Sequence, residues 1–294
     1  MARKLISFDW AMKKLLRSKA NFEILEGFLS ELLRDDIRIL EILESESNKD
    51  DARDKFNRVD LKVKNQKDEI IVIEVQYERE LDFLQRILFG TSKVIIEHLQ
   101  ESDPYSEIVK VISVNILYFD LGHGEDYVYH GSTTFRGIHH NDVLELSKYQ
   151  QGAYRKKELY QIFPEYYLIK VNSFDDIAKD SLDEWIYFLK NEEIKEGFSA
   201  KGLAQAKEAL DIIKLPEAER LAYERYQEDL HYQASMLHSS YYFGISKGVE
   251  QGRAEGEQQK ALEIARNLID VLDDATIAEK TGLSAEEIAR LRTE

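Results

Sequence analysis

The stretch that decides the fold is Val59-Asp60-Leu61-Lys62-Val63-Lys64, then Asn65-Gln66-Lys67-Asp68, then Glu69-Ile70-Ile71-Val72-Ile73-Glu74-Val75-Gln76. Apolar and charged residues alternate in the first run, which is the signature of a half-buried strand. The middle four residues have turn chemistry. The last run is rich in β-branched residues, as strands are. Together they predict a β-hairpin. Its register follows from parity. Val59, Leu61 and Val63 share one face of the first strand, and Ile71, Ile73 and Val75 share one face of the second. For the two faces to coincide, paired residue numbers must add to an even total. A two-residue turn at Gln66-Lys67 gives an odd one. The pattern therefore predicts an odd-length loop or a bulge near residues 65–69, with Asp60 opposite Glu74 and Gln76 on their face.

Cross-strand neighbours lie about 5 Å apart between Cβ atoms, and two carboxylates at that spacing repel. Such a pair is at ease only when solvated, protonated on one side or bridged by a cation. A hard divalent ion is the natural bridge, because Mg²⁺ takes one or two carboxylates together with water and substrate phosphate. The plainer reading of the same alternation is a solvated sheet face.

Outward from the hairpin, residues 8–34 carry apolar positions at helical spacing, as do residues 80–101. Ile37 to Leu43 reads as a strand or helix end, and residues 44–56 as a charged loop. Ile108 to Leu121 is a long apolar run expected to form a buried strand. Shorter strands are expected at 127–129 and 166–171, and a helix from Asp175 to Leu189. From residue 196 the chain is mainly helical. Gly244, Gly248, Gly252 and Gly256 recur every four residues, and in so polar a stretch they suit a tolerant spacer. Ser284 with Glu287 forms a predicted capping box. The surrounding segment is like the turn of a helix-turn-helix, but its second helix starts acidic, unlike most DNA readers. This order predicts an α/β core with a helical tail.

Cysteine is absent, which excludes disulfides, zinc–cysteine clusters and thiol nucleophiles. No run of about 18 apolar residues occurs and the N-terminal stretch has no signal-peptide pattern, so a cytoplasmic, non-membrane protein is expected. The net charge of −16 argues against a uniformly basic nucleic-acid coat. Residues 1–64 nevertheless carry 14 basic and 13 acidic side chains, so the acidity lies elsewhere. His139-His140 offers no third metal ligand at useful spacing, and Arg155-Lys156-Lys157 reads as a solvated turn.

Asp60, thirteen intervening residues, then Glu74-Val75-Gln76 on the second strand of a hairpin resembles the active-site signature of the PD-(D/E)XK nuclease superfamily. More narrowly, the chain resembles the Rpn family of recombination-promoting nucleases and putative transposases. The supporting elements are Asp9-Trp10-Ala11-Met12-Lys13, with Met where that family has Phe; Ile73-Glu74-Val75-Gln76; the helix bearing Gln85-Arg86; Glu145-Leu146-Ser147-Lys148-Tyr149; and the glycine-every-four tail.

The resemblance implies a restriction-endonuclease-like α/β core, a mixed central sheet flanked by helices, with a C-terminal helical tail. It implies a nuclease-like domain over 1–195, a helical extension over 196–243, and a glycine-repeat helix with terminal hairpin over 244–294. It implies Mg²⁺-dependent (or Mn²⁺-dependent) cleavage of DNA in recombination, mobile-element activity or defence. Asp60, Glu74 and Gln76 take the catalytic positions, and Asp60, Glu74 and the Val75 carbonyl take the metal. Asp9, Lys13, Lys62 and Arg86 are auxiliary or phosphate-binding candidates. One departure matters: the superfamily's third residue is usually Lys, and Gln76 has no accessible proton equilibrium with which to act as a base. A catalytically weak DNA-binding or protein-interaction module is the alternative. The acidity of the tail points to self-association through the C-terminal helices rather than DNA contact.

Overall fold

A computed structural model describes residues 5–43 and 60–293. Two short helices open the chain, α1 (Phe8–Lys14) and α2 (Phe22–Leu33). The sequence predicts one helix here, and no Gly or Pro separates the two. Tertiary contacts make the break: Leu16 is fully buried and Arg17 donates to the Asp60 carbonyl at 2.8 Å. Strand β1 (Ile39–Leu43) follows, then β2 (Leu61–Asn65) and β3 (Ile70–Gln76). Val59 and the charged stretch 44–56 lie outside the described residues.

The hairpin has the register that parity demands. Leu61 pairs with Ile73, Lys62 with Val72, Val63 with Ile71 and Lys64 with Ile70. Between them stands a three-residue loop, 66–68, closed by the Asn65 N–H donating to the Glu69 carbonyl at 3.0 Å. Asn65 Oδ1 accepts from the N–H groups of Lys67 and Glu69, each at 2.9 Å. Asp68 takes the left-handed conformation, φ 60°, which short polar side chains tolerate.

Helix α3 (Phe83–Glu97) leads to β4 (Val111–Leu117), β5 (Val128–Gly131), α4 (Lys148–Tyr154), β6 (Glu165–Lys170) and α5 (Ser181–Asn191). The six strands run in the order β1-β2-β3-β4-β6-β5. The β3–β4 and β4–β6 pairs are parallel and the outer pairs antiparallel. The all-buried β4 sits in the middle, which explains its continuous apolar sequence.

Two cores form. On one face Ile70, Val72 and Val111 pack with Val94 of α3, and Leu117 packs with Phe83 and Ile87 of α3. The opposite face, with Leu61, Val63, Ile71 and Ile73, is equally buried. The other large core is aromatic: Phe8, Phe28, Trp185 and Phe188, from α1, α2 and α5, meet with ring centroids 5.4–6.3 Å apart. Helix α6 (Leu203–Ala209) is held by a close approach that the sequence does not advertise. A Cβ on Gly27 would stand 2.1 Å from the Lys201 carbonyl oxygen, so only glycine lets α2 pass that backbone.

The chain divides into two units, 1–220 and 221–294. Helix α7 (Glu217–Leu268) is continuous through 52 residues and includes the glycine repeat. A Cβ added at any of its four repeat glycines would meet nothing within 4 Å, in keeping with a spacer. Helices α8 (Asp274–Thr281) and α9 (Ala285–Leu291) form a hairpin over Ala265, Ile277, Leu283 and Ile288. The Ser284–Glu287 capping box is present as predicted.

Candidate functional site

The site lies at the carboxyl end of β3. Even-numbered residues of β3 bond to β4, as the Ile70 N–H to Lys110 carbonyl and Tyr118 N–H to Gln76 carbonyl bonds show. Odd-numbered residues bond to β2. Just before β2 begins, Asp60 bends back and its Oδ2 accepts the Val75 N–H at 2.7 Å. Asp60 thus caps the strand edge instead of standing on a flat face. The Val75 carbonyl lies on the same edge as its N–H, beside Asp60.

Helix α1 supplies a cation. Lys13 Nζ stands 2.8 Å from Asp9 Oδ1 and 3.6 Å from Asp60 Oδ1. Asp9 is 1% exposed, one turn before Lys13. Burial opposes the Lys13 charge, yet Asp60 and Asp9 together outweigh it and raise its pKa. Burial pushes the Asp60 carboxyl upward; Lys13 and the Val75 N–H pull the other way without cancelling it, and Asp9 adds to the rise.

Helix α3 supplies the second cation. The Arg86 guanidinium pairs with Glu74, donates to Gln76 Oε1 at 3.4 Å, and places Nε 3.0 Å from Glu80 Oε2. Gln76 Nε2 donates to Glu80 Oε1 at 3.0 Å and to the Glu78 carbonyl at 3.2 Å. Its amide is therefore oriented, oxygen toward Arg86. Burial pushes the Glu74 carboxyl to about 7; Arg86 opposes this, while Asp60 and Glu80 reinforce it. Next to Glu74 in the sheet register is Asn115 of β4, also on the α3 face and 1% exposed. Its Oδ1 has no hydrogen-bond partner among the described residues.

The fold thus gathers Asp9, Lys13, Asp60, Glu74, Val75, Gln76 and Arg86. It does not gather Lys62. That side chain is 7% exposed, and its ammonium pairs with Glu97 at 3.1 Å, at the far end of α3. Glu80 and Asn115 are the residues that sequence reasoning missed. Glu80 could have been found from its spacing, four residues beyond Gln76 and six before Arg86; Asn115 depends on a crossover pairing that no local pattern reveals.

Four carboxylates here (Asp9, Asp60, Glu74, Glu80) face Lys13 and Arg86, with Arg17 on the Asp60 carbonyl. The acids still outnumber the cations, and an amide oxygen and a strand-edge carbonyl join them. Hard oxygen donors with that surplus fit a divalent ion of the Mg²⁺ class. Among the described residues no group of three or more His, Asp or Glu side chains is arranged to hold a metal ion.

A family model described as PD-(D/E)XK nuclease family transposase matches residues 6–240, most of the chain, and the chain belongs to that family. The mixed six-strand sheet flanked by helices, followed by a helical region, is the α/β architecture that the hairpin and its flanks predict. No curated protein matches the chain, and no solved structure does. No helix among the described residues is long and apolar enough to cross a membrane.

Proposed function

We propose that this chain hydrolyses phosphodiester bonds in DNA as a divalent-metal-dependent endonuclease serving recombination, mobile-element activity or defence. The observation that carries the reading is the excess of acid around Asp60 and Glu74 at the carboxyl end of β3. Asp60 and Glu74, with the Val75 carbonyl beside them, would hold Mg²⁺ or Mn²⁺. When bound, the ion supplies positive charge that polarises a phosphoryl oxygen and acidifies a water.

The remaining work falls to side chains. Arg86 presents a guanidinium, whose planar fork suits a phosphate. Lys13, with 41% of its side chain exposed, offers a second phosphate contact from α1. Asp9 holds Lys13 in place. Gln76 exchanges no proton; oriented by Glu80, it hydrogen-bonds water or the scissile phosphate. Lys62, buried against Glu97, has no part in gripping the backbone.

A second reading has its own support. Gln76 stands where the superfamily usually has Lys, and Arg86 already engages three side chains. Both favour slow or conditional cleavage, or a DNA-binding module that has lost it. Plasmid nicking with Mg²⁺, Mn²⁺ and chelator separates the two. The nuclease reading expects cutting by the wild type and none by Asp60→Ala. It expects Gln76→Lys to keep or raise the rate, since a cation near the developing phosphorane charge stabilises it, and Gln76→Leu to lower it. DNA binding with no cutting under any ion leaves the second reading.

A further inference from the structure

Helix α3 has two apolar faces. Its inner residues Phe83, Ile87, Thr91 and Val94 are buried against the sheet. Its outer stripe is Leu84, Leu88, Phe89 and Ile96, with Leu81 just before the helix, and each is more than half exposed. The spacing is that of a helix seam meant to be covered. Single exposed apolar residues are ordinary, but a contiguous stripe marks an interaction surface.

The same unit carries a second uncovered apolar element. Residues 132–160, between β5 and β6, form an arm. Its tip is ordered by its own backbone: Arg136 bridges Val143, the Leu144 N–H donates to the Phe135 carbonyl at 3.0 Å, and the Gly137 N–H to the Asp142 carbonyl at 2.9 Å. Yet α4, within the arm, buries no residue, and Ile138 is 95% exposed, Leu144 60% and Tyr149 85%. Leu146 is the one large apolar side chain of the arm that is buried, so an arm anchored there leaves the rest of its apolar surface to be covered.

We infer that the arm of one copy of this chain docks on the outer face of α3 in a second copy. Charge chooses this occupant. The arm carries five Lys/Arg and three Asp/Glu, a net of +2 in a chain of net −16. Residues 77–107, around α3, carry seven Asp/Glu and three Lys/Arg, a net of −4. Opposite potentials steer and register such a contact. The apolar tip disfavours DNA as the occupant, since a phosphate backbone gives Ile138 and Leu144 nothing to bury against. Each copy owns one arm and one α3 face, so a two-fold pair makes the contact twice and closes. Doubling brings a small patch toward the size of a stable interface, about 1,600 Å² in total.

The absence of cysteine makes the test clean, because introduced thiols are the only ones. Full-length Leu88→Cys and Ile138→Cys chains, carrying different affinity tags, are mixed and mildly oxidised. The expected result is a mixed disulfide between the two tags, at least tenfold above either same-variant dimer. Adding Val143→Glu and Leu144→Glu, both at exposed positions, to the Ile138→Cys chain should cut that yield at least tenfold. No mixed disulfide, or a yield untouched by the two glutamates, overturns the inference. So does an intramolecular disulfide in the Leu88→Cys/Ile138→Cys double variant, which would place the arm on its own α3. Should Ile138→Glu/Leu144→Glu weaken DNA binding while no cross-link forms, the arm is a DNA contact and the inference is wrong.

Discussion

The sheet holds two ion clusters, one at each end, and they solve the same problem differently. At the amino end of β4, Lys110 is buried and meets Glu165 at 2.7 Å, the Tyr160 carbonyl at 3.0 Å and the Phe163 carbonyl. Three acceptors answer the three hydrogens of one ammonium. Glu165 in turn takes His130 Nε2 on its second oxygen at 2.6 Å. At the carboxyl end of β3, four acids stand against Lys13, Arg86 and Arg17, and Asn115 Oδ1 goes unpaired among the described residues. The first cluster is closed; the second keeps an excess of acid. A closed cluster ties loop 159–164 to the sheet. The acid-rich one holds the Asp60 and Glu74 carboxyls, whose charged forms burial disfavours.

The sharpest way to break this contrast is to remove a cation from the closed end. Lys110→Met leaves Glu165 buried and short of a partner, and urea unfolding should show a loss of about 3–5 kcal/mol. A loss below about 1 kcal/mol would mean that the cluster is not closed at all. Next comes the divalent ion. At pH 8, Mg²⁺ or Mn²⁺ at 100 times its dissociation constant should stabilise the wild type by about 2.7 kcal/mol. Thermal melts should show the gain vanish in Asp60→Asn and survive in Lys110→Met. Retention in Asp60→Asn would move the ion elsewhere.

The pH dependence is of comparable size and has a definite sign. Glu74 titrates at about 7 in the folded chain, against an ordinary 4.5. Between those values the folded state binds the extra proton, so stability falls as pH rises from about 4.5 to 7 and levels above. The share owed to Glu74 is about 3 kcal/mol. Glu74→Gln should flatten that slope in metal-free buffer; an unchanged slope would mean that burial does not penalise this carboxylate. The smallest effect belongs to Glu80. Glu80→Ala should cost less than about 1 kcal/mol, yet remove one of the two acceptors of the Gln76 amide, visible as a shift of its side-chain NH₂ resonances.

What the sequence discloses follows from range. The hairpin register, the Asp60–Glu74 juxtaposition and the helix carrying Arg86 all rest on alternation or helical period within one local stretch of chain. Lys62 shows where that logic ends. Its parity matches Asp60, but its fate is decided by Glu97, 35 residues away, and burial wins over the solvated face that alternation suggests. The break between α1 and α2 has the same origin, since Leu16 and Arg17 answer to tertiary partners. The closed cluster at Lys110 is invisible for a further reason: its acceptors are two backbone carbonyls and a residue 55 positions on, and backbone carbonyls leave no trace in composition.

The three-residue loop between β2 and β3 carries a consequence for how such chains can drift. Removing or adding one residue in 66–68 turns every later side chain of β3 over. Glu74 and Gln76 would face where Ile71 and Ile73 now lie, and those isoleucines would meet the ions. Adding or removing two restores the faces. Descendants of this hairpin should therefore change loop length in steps of two, or change it by one only with a compensating bulge. Lineages separated by a single uncompensated residue should have lost the site along with the core.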